Sequence, residues 1–198
     1  MKKCIKMYEN NYKNIINTTI EDLEIFLNLL ADLDQEIEIY AMGGTAMILK
    51  NIKESTKDID FLTTNTYEEI KKLFKIAGLI ETDKSKLCNK WLMDNKIRID
   101  IFYDDFILGT TLPDNWKNMS EHIKTIGKIK LSILNWYDII ITKIARSEKR
   151  DIQDSQEIIK SQDIDFNRLK KRYYKIAEVS LISDFDIKFR HLESKLEK

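Results

Sequence analysis

Two aspartates one residue apart, Asp58 and Asp60, have the residue type and spacing best suited to chemistry in this sequence. They fall in a predicted strand over residues 58–63, and residues i and i+2 of a strand point to the same face. The two carboxylates are therefore expected to lie side by side, where they repel each other unless a proton or a divalent metal sits between them. This pair predicts a metal site.

A glycine pair precedes these carboxylates. Gly43 and Gly44 follow an apolar run, and Thr45 opens a segment with the pattern of a short helix. Backbone N–H groups can approach a ligand closely at a glycine turn, and a helix start favours negative charge, so this turn is a candidate seat for phosphate. A phosphate seat beside metal-binding carboxylates favours phosphoryl or nucleotidyl transfer, although the glycine pair alone is equally compatible with an ordinary tight turn.

A third carboxylate, Asp100, lies in a predicted strand over residues 97–103, where Arg98 and Asp100 alternate with isoleucines. If this strand lies beside the strand that carries Asp58 and Asp60, three carboxylates converge on one edge of a sheet. Mg²⁺ prefers carboxylate and phosphate oxygens. Two such ions about 3.5–4 Å apart can clamp an in-line phosphoryl displacement.

Taken together, these residues resemble the signature of the nucleotidyltransferase superfamily. That signature is a glycine pair followed by Ser or Thr on a short helix, then an Asp-x-Asp strand, then one further Asp. Lys143, followed by Lys149-Arg150-Asp151-Ile152-Gln153-Asp154, is similar to the Lys-then-Arg/Lys-Asp-x-x-Asp pattern of the AbiEii toxin branch. That branch is the nucleotidyltransferase half of bacterial toxin–antitoxin pairs, and the resemblance spans residues 36–160.

The resemblance implies a set of catalytic and metal-binding carboxylates. Asp58 and Asp60 would hold Mg²⁺ or Mn²⁺, and Asp100 would assist or act as a base. An NTP would be the substrate.

The resemblance also implies a nucleotide-binding set: Gly43, Gly44, Thr45, Lys143, Arg150 and Asp154. The glycine turn would hold the terminal phosphates, and Lys143 would be a second phosphate contact and a catalytic residue. Asp154 would orient Lys143 or the incoming hydroxyl, whereas Arg150 would bind phosphate or simply pair with Asp154.

The function implied is transfer of a nucleoside monophosphate from an NTP to a hydroxyl. By resemblance the acceptor is an RNA end, tRNA in particular, or a protein side chain, and the protein is a toxin countered by a cognate antitoxin. The alternatives are nucleotidylation of a small molecule such as an aminoglycoside antibiotic, a module of this fold that binds nucleotide or a partner without turnover, and a plain interaction domain in which the motif is accidental.

The fold class expected is α/β (α+β), with a mixed sheet flanked by helices and followed by a C-terminal helical bundle. The N-terminal core, with its own first helix, would span residues 1–133 and the helical part residues 134–198. Hydrophobic periodicity predicts helices from residue 19 and over 66–77, strands over 37–41, 58–63, 91–93 and 97–103, an irregular connection over 104–122, a hairpin over 123–133 and helices from 135 onward.

Composition narrows the function classes further. The chain has 33 basic and 33 acidic residues, so bulk electrostatic binding to nucleic acid is not expected. The segment 168–175 mixes basic residues with two tyrosines, which would either grip single-stranded RNA or form a solvated helix face with the tyrosines turned inward.

Cys4 and Cys88 are expected to be free thiols. Without a signal peptide or a membrane-length apolar run, the protein is expected to be cytoplasmic.

Overall fold

The computed structural model describes residues 17–33, 35–85, 88–94 and 96–196. The helices in these ranges are α1 (Ile20–Ala31), α2 (Gly43–Leu49), α3 (Tyr67–Ile76), α4 (Trp116–Met119), α5 (Trp136–Arg146), α6 (Lys149–Ser161), α7 (Phe166–Ala177) and α8 (Phe185–Leu196). The strands are β1 (Ile37–Ala41), β2 (Ile59–Thr63), β3 (Ile80–Lys84), β4 (Asn89–Met93), β5 (Ile97–Tyr103), β6 (Phe106–Ile107), β7 (Thr110–Thr111), β8 (Glu121–Ile126) and β9 (Ile129–Ile133).

A seven-stranded mixed sheet forms the centre of the N-terminal part, in the order β3-β4-β5-β2-β1-β9-β8. Strand β2 pairs in parallel with β5 and antiparallel with β1, while β1 pairs in parallel with β9. Strands β6 and β7 form a separate two-stranded pair. Helices flank the sheet and the last four helices follow it in the chain, so the predicted fold class is confirmed.

Local signals in the sequence fix the ends of the first helices. Thr19 caps α1 in a capping box with Asp22, and Thr66 caps α3 in a capping box with Glu69. Gly78, with φ of +81°, follows α3 in a left-handed conformation that glycine adopts without strain. Both predicted helices are therefore present, within one residue of their predicted limits.

Aromatic side chains join α1 and α3 to the sheet. The ring of Phe26 on α1 lies 6.0 Å from Phe61 on β2 and 5.7 Å from Phe74 on α3. Phe74 lies 5.3 Å from Trp91 on β4 in an edge-to-face contact. All four side chains are fully buried, so this cluster fixes β2, and with it Asp60, relative to the helices.

Buried contacts also hold the helical part together. Asp138 on α5 is completely buried and accepts two hydrogen bonds of 2.7 Å from Arg172 on α7. Tyr173 is buried too, and its hydroxyl donates to the carbonyl of Phe185, while Tyr174 donates to Asp186. The two tyrosines of the segment 168–175 are thus engaged within the helical part, as the solvated-helix alternative predicted.

Several predicted boundaries need correction. Strand β3 was not predicted, because Ile80-Glu81-Thr82-Asp83-Lys84 has one apolar residue and reads as polar; it is an edge strand, where charged residues are common. The connection over 104–122 was predicted to be irregular but contains β6, β7, α4 and the first residues of β8. The hairpin of β8 and β9 around Gly127 was predicted correctly.

Among the residues that the structure describes, none of the helices is both long and apolar enough to cross a membrane. Cys88 is a buried free thiol, as predicted, and burial raises its pKa. Cys4 lies outside the described residues.

Candidate active site

Three carboxylates converge where β2 and β5 lie side by side. Asp60 and Asp100 are directly opposite each other in the parallel pairing of these strands. Asp58 lies in the bend just before β2, since the strand begins at Ile59 rather than at residue 58 as predicted. One carboxylate oxygen of each residue lies within 4.8 Å of the other two, so the predicted convergence is present in the fold.

Arg98 lies among these carboxylates. It precedes Asp100 by two residues on β5, so both side chains point to the same face. Its Nε lies 3.0 Å from Asp100 Oδ1, and its Nη2 lies 3.1 Å from Asp100 Oδ2 and also contacts Asp58 Oδ2. The guanidinium therefore neutralises part of the negative charge at this point.

Crowding and burial shift the acidities of two of the carboxyl groups. Burial raises the pKa of Asp60 well above its ordinary value, and the charges of Asp58 and Asp100 raise it further. Burial also raises the pKa of Asp100 to about 6, although Arg98 opposes this shift. Burial is the main cause of both shifts, and for Asp60 the neighbouring carboxylates add to it.

The glycine turn is packed against the strand that carries the aspartates. Gly43 has φ of +53°, and a Cβ added to it would lie 2.8 Å from Asp60 Oδ2. A Cβ on Gly44 would lie 2.1 Å from Thr56 Oγ1, in the chain segment before Asp58. Both positions therefore need glycine for close approach, and the first also for its backbone conformation.

Thr45 is buried, and its hydroxyl accepts a hydrogen bond of 2.8 Å from the backbone N–H of Asp60. This bond ties the start of α2 to β2. The phosphate contact predicted for Thr45 stays a prediction, and the geometry in hand gives its hydroxyl a positioning contact with the strand.

The opposite wall of the site comes from α5 and α6. Lys143 is 5% exposed, and its Nζ lies 2.6 Å from Asp154 Oδ2. Asp154 Oδ1 lies 2.7 Å from the Nζ of Lys53, which belongs to the loop between α2 and β2. Burial would raise the pKa of Asp154, but Lys143 and Lys53 lower it below its ordinary value. One carboxylate thus holds two ammonium groups at the cavity wall.

A second ion pair strengthens this wall. Arg146, in the last turn of α5, makes two hydrogen bonds to the carboxylate of Asp151, which is almost fully buried. Lys143 Nζ lies 3.8 Å from the same carboxylate. The hydrogen bonds to Asp151 raise the pKa of Arg146, and the charge of Arg146 in turn lowers the pKa of Asp60. The positive charge of Arg146 therefore acts on Asp60 across the cavity.

A cavity of about 530 Å³ lies between these two walls. This volume falls in the range usual for small-molecule and cofactor sites. The predicted site residues that line it are Gly43, Gly44, Asp58, Asp60, Asp100, Lys143, Arg150 and Asp154. Thr45 lies behind the lining instead. The structure thus brings together residues that lie far apart in the sequence.

The donor set of the aspartates suits a hard divalent cation. Three carboxylates within reach of one point are oxygen ligands of the kind that Mg²⁺ and Mn²⁺ prefer. The three carboxylates face one guanidinium, that of Arg98, which contacts Asp58 and Asp100. Asp58, Asp60 and Asp100 therefore fit the metal that the sequence resemblance implies.

A comparison with protein-family models identifies the family of this chain. The model described as "Nucleotidyltransferase of unknown function (DUF6036)" matches residues 18–198. The chain belongs to this family. Its matched region includes the aspartates, the glycine turn and both walls of the cavity. Comparison with curated protein sequences found no match.

Two solved structures of ANT(2'')-Ia resemble this chain in fold. A crystal structure of ANT(2'')-Ia in complex with adenylyl-2''-tobramycin has a TM-score of 0.60 at 11% identity, covering 81% of this chain and 98% of that one. A solution structure of the antibiotic-resistance factor ANT(2'')-Ia has a TM-score of 0.58 at 13% identity, covering 78% of this chain and 89% of that one. At these identities the likeness establishes the fold.

Three residues of this DUF6036 protein were not assigned to the site from sequence: Arg98, Lys53 and Arg146. The alternation in this strand puts Arg98 on the same face as Asp100, so the position of Arg98 could have been predicted from the sequence. Arg146 lies between Lys143 and Lys149, in the part of the chain that carries the resemblance, but the resemblance gave it no role. Lys53 lies in a charged loop without periodicity, and no signal in the sequence alone could place it at the cavity.

Proposed function

We propose that this protein is a metal-dependent nucleotidyltransferase that transfers a nucleoside monophosphate from an NTP to a hydroxyl group. The observation that carries the proposal is the arrangement of one cavity: three carboxylates lie on one wall, Lys143 and Arg146 lie on the other, and Lys53 reaches across to pair with Asp154. The first wall suits a divalent cation, and the second suits a polyphosphate. An NTP matches both walls, because its phosphates are negatively charged and bind a divalent cation.

In the proposed reaction the acceptor oxygen forms a bond to the α-phosphorus, and the bond from that phosphorus to the bridging oxygen of pyrophosphate breaks. A metal held by Asp58, Asp60 and Asp100 would neutralise the negative charge that develops on the phosphate oxygens. Asp100 would assist at the metal or accept the proton of the attacking hydroxyl, since it lies directly opposite Asp60 on the neighbouring strand.

Lys143 is proposed to bind the phosphates of the NTP. Its ammonium group lines the cavity and is held by Asp154 at 2.6 Å. A lysine is a compact charge on a flexible stem, so it can follow the phosphate oxygens as pyrophosphate departs. Gly43 and Gly44 would let the nucleotide approach the backbone, and Arg150 would add a further phosphate contact.

The acceptor proposed first is an RNA end, tRNA in particular, or a protein side chain. This choice rests on the similarity of the stretch from Lys143 to Asp154 to the AbiEii pattern. The same similarity supports a role as the toxin of a toxin–antitoxin pair, with a cognate antitoxin as partner. We also propose that the protein acts in the cytoplasm.

A second candidate acceptor is a small molecule such as an aminoglycoside. It is favoured by the likeness of the fold to ANT(2'')-Ia, which covers 98% of that chain in the complex with adenylyl-2''-tobramycin. The chemistry at the α-phosphorus would be the same for both acceptor classes, so only the acceptor distinguishes them.

The test is incubation of purified protein with Mg²⁺ and each α-³²P-labelled NTP, in separate reactions with total RNA, cell lysate or a panel of aminoglycosides. Label that appears in a discrete product, and is lost in the Asp58→Asn variant, supports the proposal and identifies the nucleotide and the acceptor class. Mg²⁺-dependent nucleotide binding without transfer would favour a binding module instead. Absence of both would refute the proposed function.

A further inference from the structure

Arg98 already uses oxygens that a metal would need. Both oxygens of Asp100 accept hydrogen bonds from its guanidinium, at 3.0 and 3.1 Å, and one oxygen of Asp58 accepts a third. A divalent cation at the meeting point of Asp58, Asp60 and Asp100 would draw on the same oxygens. A guanidinium and a metal ion cannot both occupy that position, because they would repel each other at contact distance.

The position of Arg98 also allows it to withdraw. Its side chain keeps 20% of its surface exposed and lines the cavity rather than the packed core. A guanidinium remains charged at any physiological pH and carries its charge on a long, flexible stem. The group can therefore leave Asp58 and Asp100 by rotating into the cavity, without rearrangement of β5.

We propose that Arg98 is the counter-ion of the aspartate cluster in the metal-free protein, and that a divalent cation binds only as the Arg98 guanidinium withdraws from Asp58 and Asp100. Arg98 thereby sets the affinity of the protein for its metal. This inference rests on the metal site of the proposed function. The opposite role, in which Arg98 holds the aspartates in position for the metal, requires metal affinity to fall when Arg98 is removed.

The experiment measures Mn²⁺ binding by the EPR signal of the free ion in the full-length protein and four variants, without nucleotide. In Arg98→Met the competing charge is absent, so Mn²⁺ is expected to bind about tenfold or more tightly than in the unaltered protein. Arg98→Lys keeps a charge but loses the two-pronged hydrogen bonding, and is expected to fall between the two. It also provides a measurement if Arg98→Met folds poorly.

Two further variants control for other effects. Arg190→Met removes an exposed arginine from an ion pair with Asp186 in the helical part, and is expected to leave Mn²⁺ affinity unchanged. Asp58→Asn is expected to weaken Mn²⁺ binding. If Mn²⁺ affinity is unchanged or lower in Arg98→Met but weakened in Asp58→Asn, the proposed role of Arg98 is wrong and the metal site is supported. Failure of both Arg98→Met and the unaltered protein to bind Mn²⁺ would overturn the metal site and this inference together.

Discussion

Lys53 and Asp154 form an ion pair across the cavity, with Lys53 Nζ 2.7 Å from Asp154 Oδ1. Lys53 belongs to the loop before β2, and Asp154 belongs to α6 in the helical part. The pair connects the wall that carries the aspartates with the wall that carries Lys143. It also holds an ammonium group at the cavity, where an arriving polyphosphate would meet it.

Replacing Lys53 by Met is expected to weaken NTP binding about ten- to a hundredfold, the effect typical of losing one charge-assisted hydrogen bond. The loss should be smaller for NDP and smallest for NMP, because the lysine is proposed to contact the outer phosphates. Titration with fluorescent nucleotides in the presence of Ca²⁺ would measure the three affinities.

Lys50→Met provides the matched control for Lys53→Met. Lys50 is three residues away and pairs with Glu121, but it does not line the cavity. Its replacement should leave all three affinities unchanged. Equal losses in the two variants would mean that Lys53 acts only through the general charge of the surface.

Asp100 makes the stability of the metal-free protein depend on pH. Burial raises its pKa to about 6 in the folded state, above the value of about 3.9 in an unfolded chain. The folded protein therefore binds this proton more tightly than the unfolded chain does. The resulting stabilisation of the fold is complete below about pH 4 and is lost as the pH rises through about 6. The unaltered protein and Asp100→Asn are compared in EDTA. The free energy of unfolding of the unaltered protein minus that of Asp100→Asn is expected to decrease as the pH rises from about 4 through about 6.

Urea denaturation at a series of pH values would measure that difference. A difference that stays constant or rises between about pH 4 and pH 7 would contradict the raised pKa of Asp100. Metal affinity should follow the opposite trend and increase with pH over the same interval, because protons and the cation compete for the carboxylates.

Gly44→Ala is expected to destabilise the fold by about 1–3 kcal/mol, the usual cost of overpacking. The added Cβ would lie 2.1 Å from Thr56 Oγ1 and 2.8 Å from Thr56 Cβ. Thr56 cannot move away easily, because its backbone exchanges two hydrogen bonds with Thr18. Thermal or urea unfolding would measure the cost.

A double variant isolates the cause of that destabilisation. With Thr56→Gly already present, the side chain that the added methyl group would strike is gone, so the added cost of Gly44→Ala should nearly vanish. A cost that stays the same in both backgrounds would show that the contact with Thr56 is not responsible.

Asp138→Asn is expected to destabilise the protein by about 3–5 kcal/mol, because it leaves the Arg172 guanidinium without its buried partner. Asp138 is completely buried in that pair. The exposed pair of Lys170 and Glu193 gives a comparison, since Glu193→Gln should cost less than about 1 kcal/mol. Similar losses in the two variants, measured by urea denaturation, would argue against a structural role for the buried pair.

Local patterns in the sequence were sufficient to predict the elements that carry the aspartates. Alternation placed Asp100 on a strand, and the glycine pair placed a turn and a short helix before Asp60. The pairing of β2 with β5, which sets Asp60 opposite Asp100, was an assumption, because strand order depends on long-range packing that no local pattern encodes.

The wall formed by α5 and α6 was predicted from a resemblance and not from physical reasoning. Nothing local in the sequence requires Lys143 to approach the aspartates, since that depends on how the helices fold back over the sheet. The same limit applies to Lys53, whose partner Asp154 lies 101 residues later. The position of Arg98 in the site could have been inferred, because it lies two residues before Asp100 and both side chains therefore point to one face.

The metal and nucleotide site in the cavity is tested most directly by a crystal structure of the protein with Mn²⁺ and a non-hydrolysable NTP, with anomalous scattering used to locate the metal. An anomalous peak is expected within bonding distance of Asp58, Asp60, Asp100 and phosphate oxygens, with the Lys143 ammonium group in contact with the same polyphosphate. Nucleotide bound without metal at the aspartates, or metal and nucleotide bound outside this cavity, would contradict this expectation.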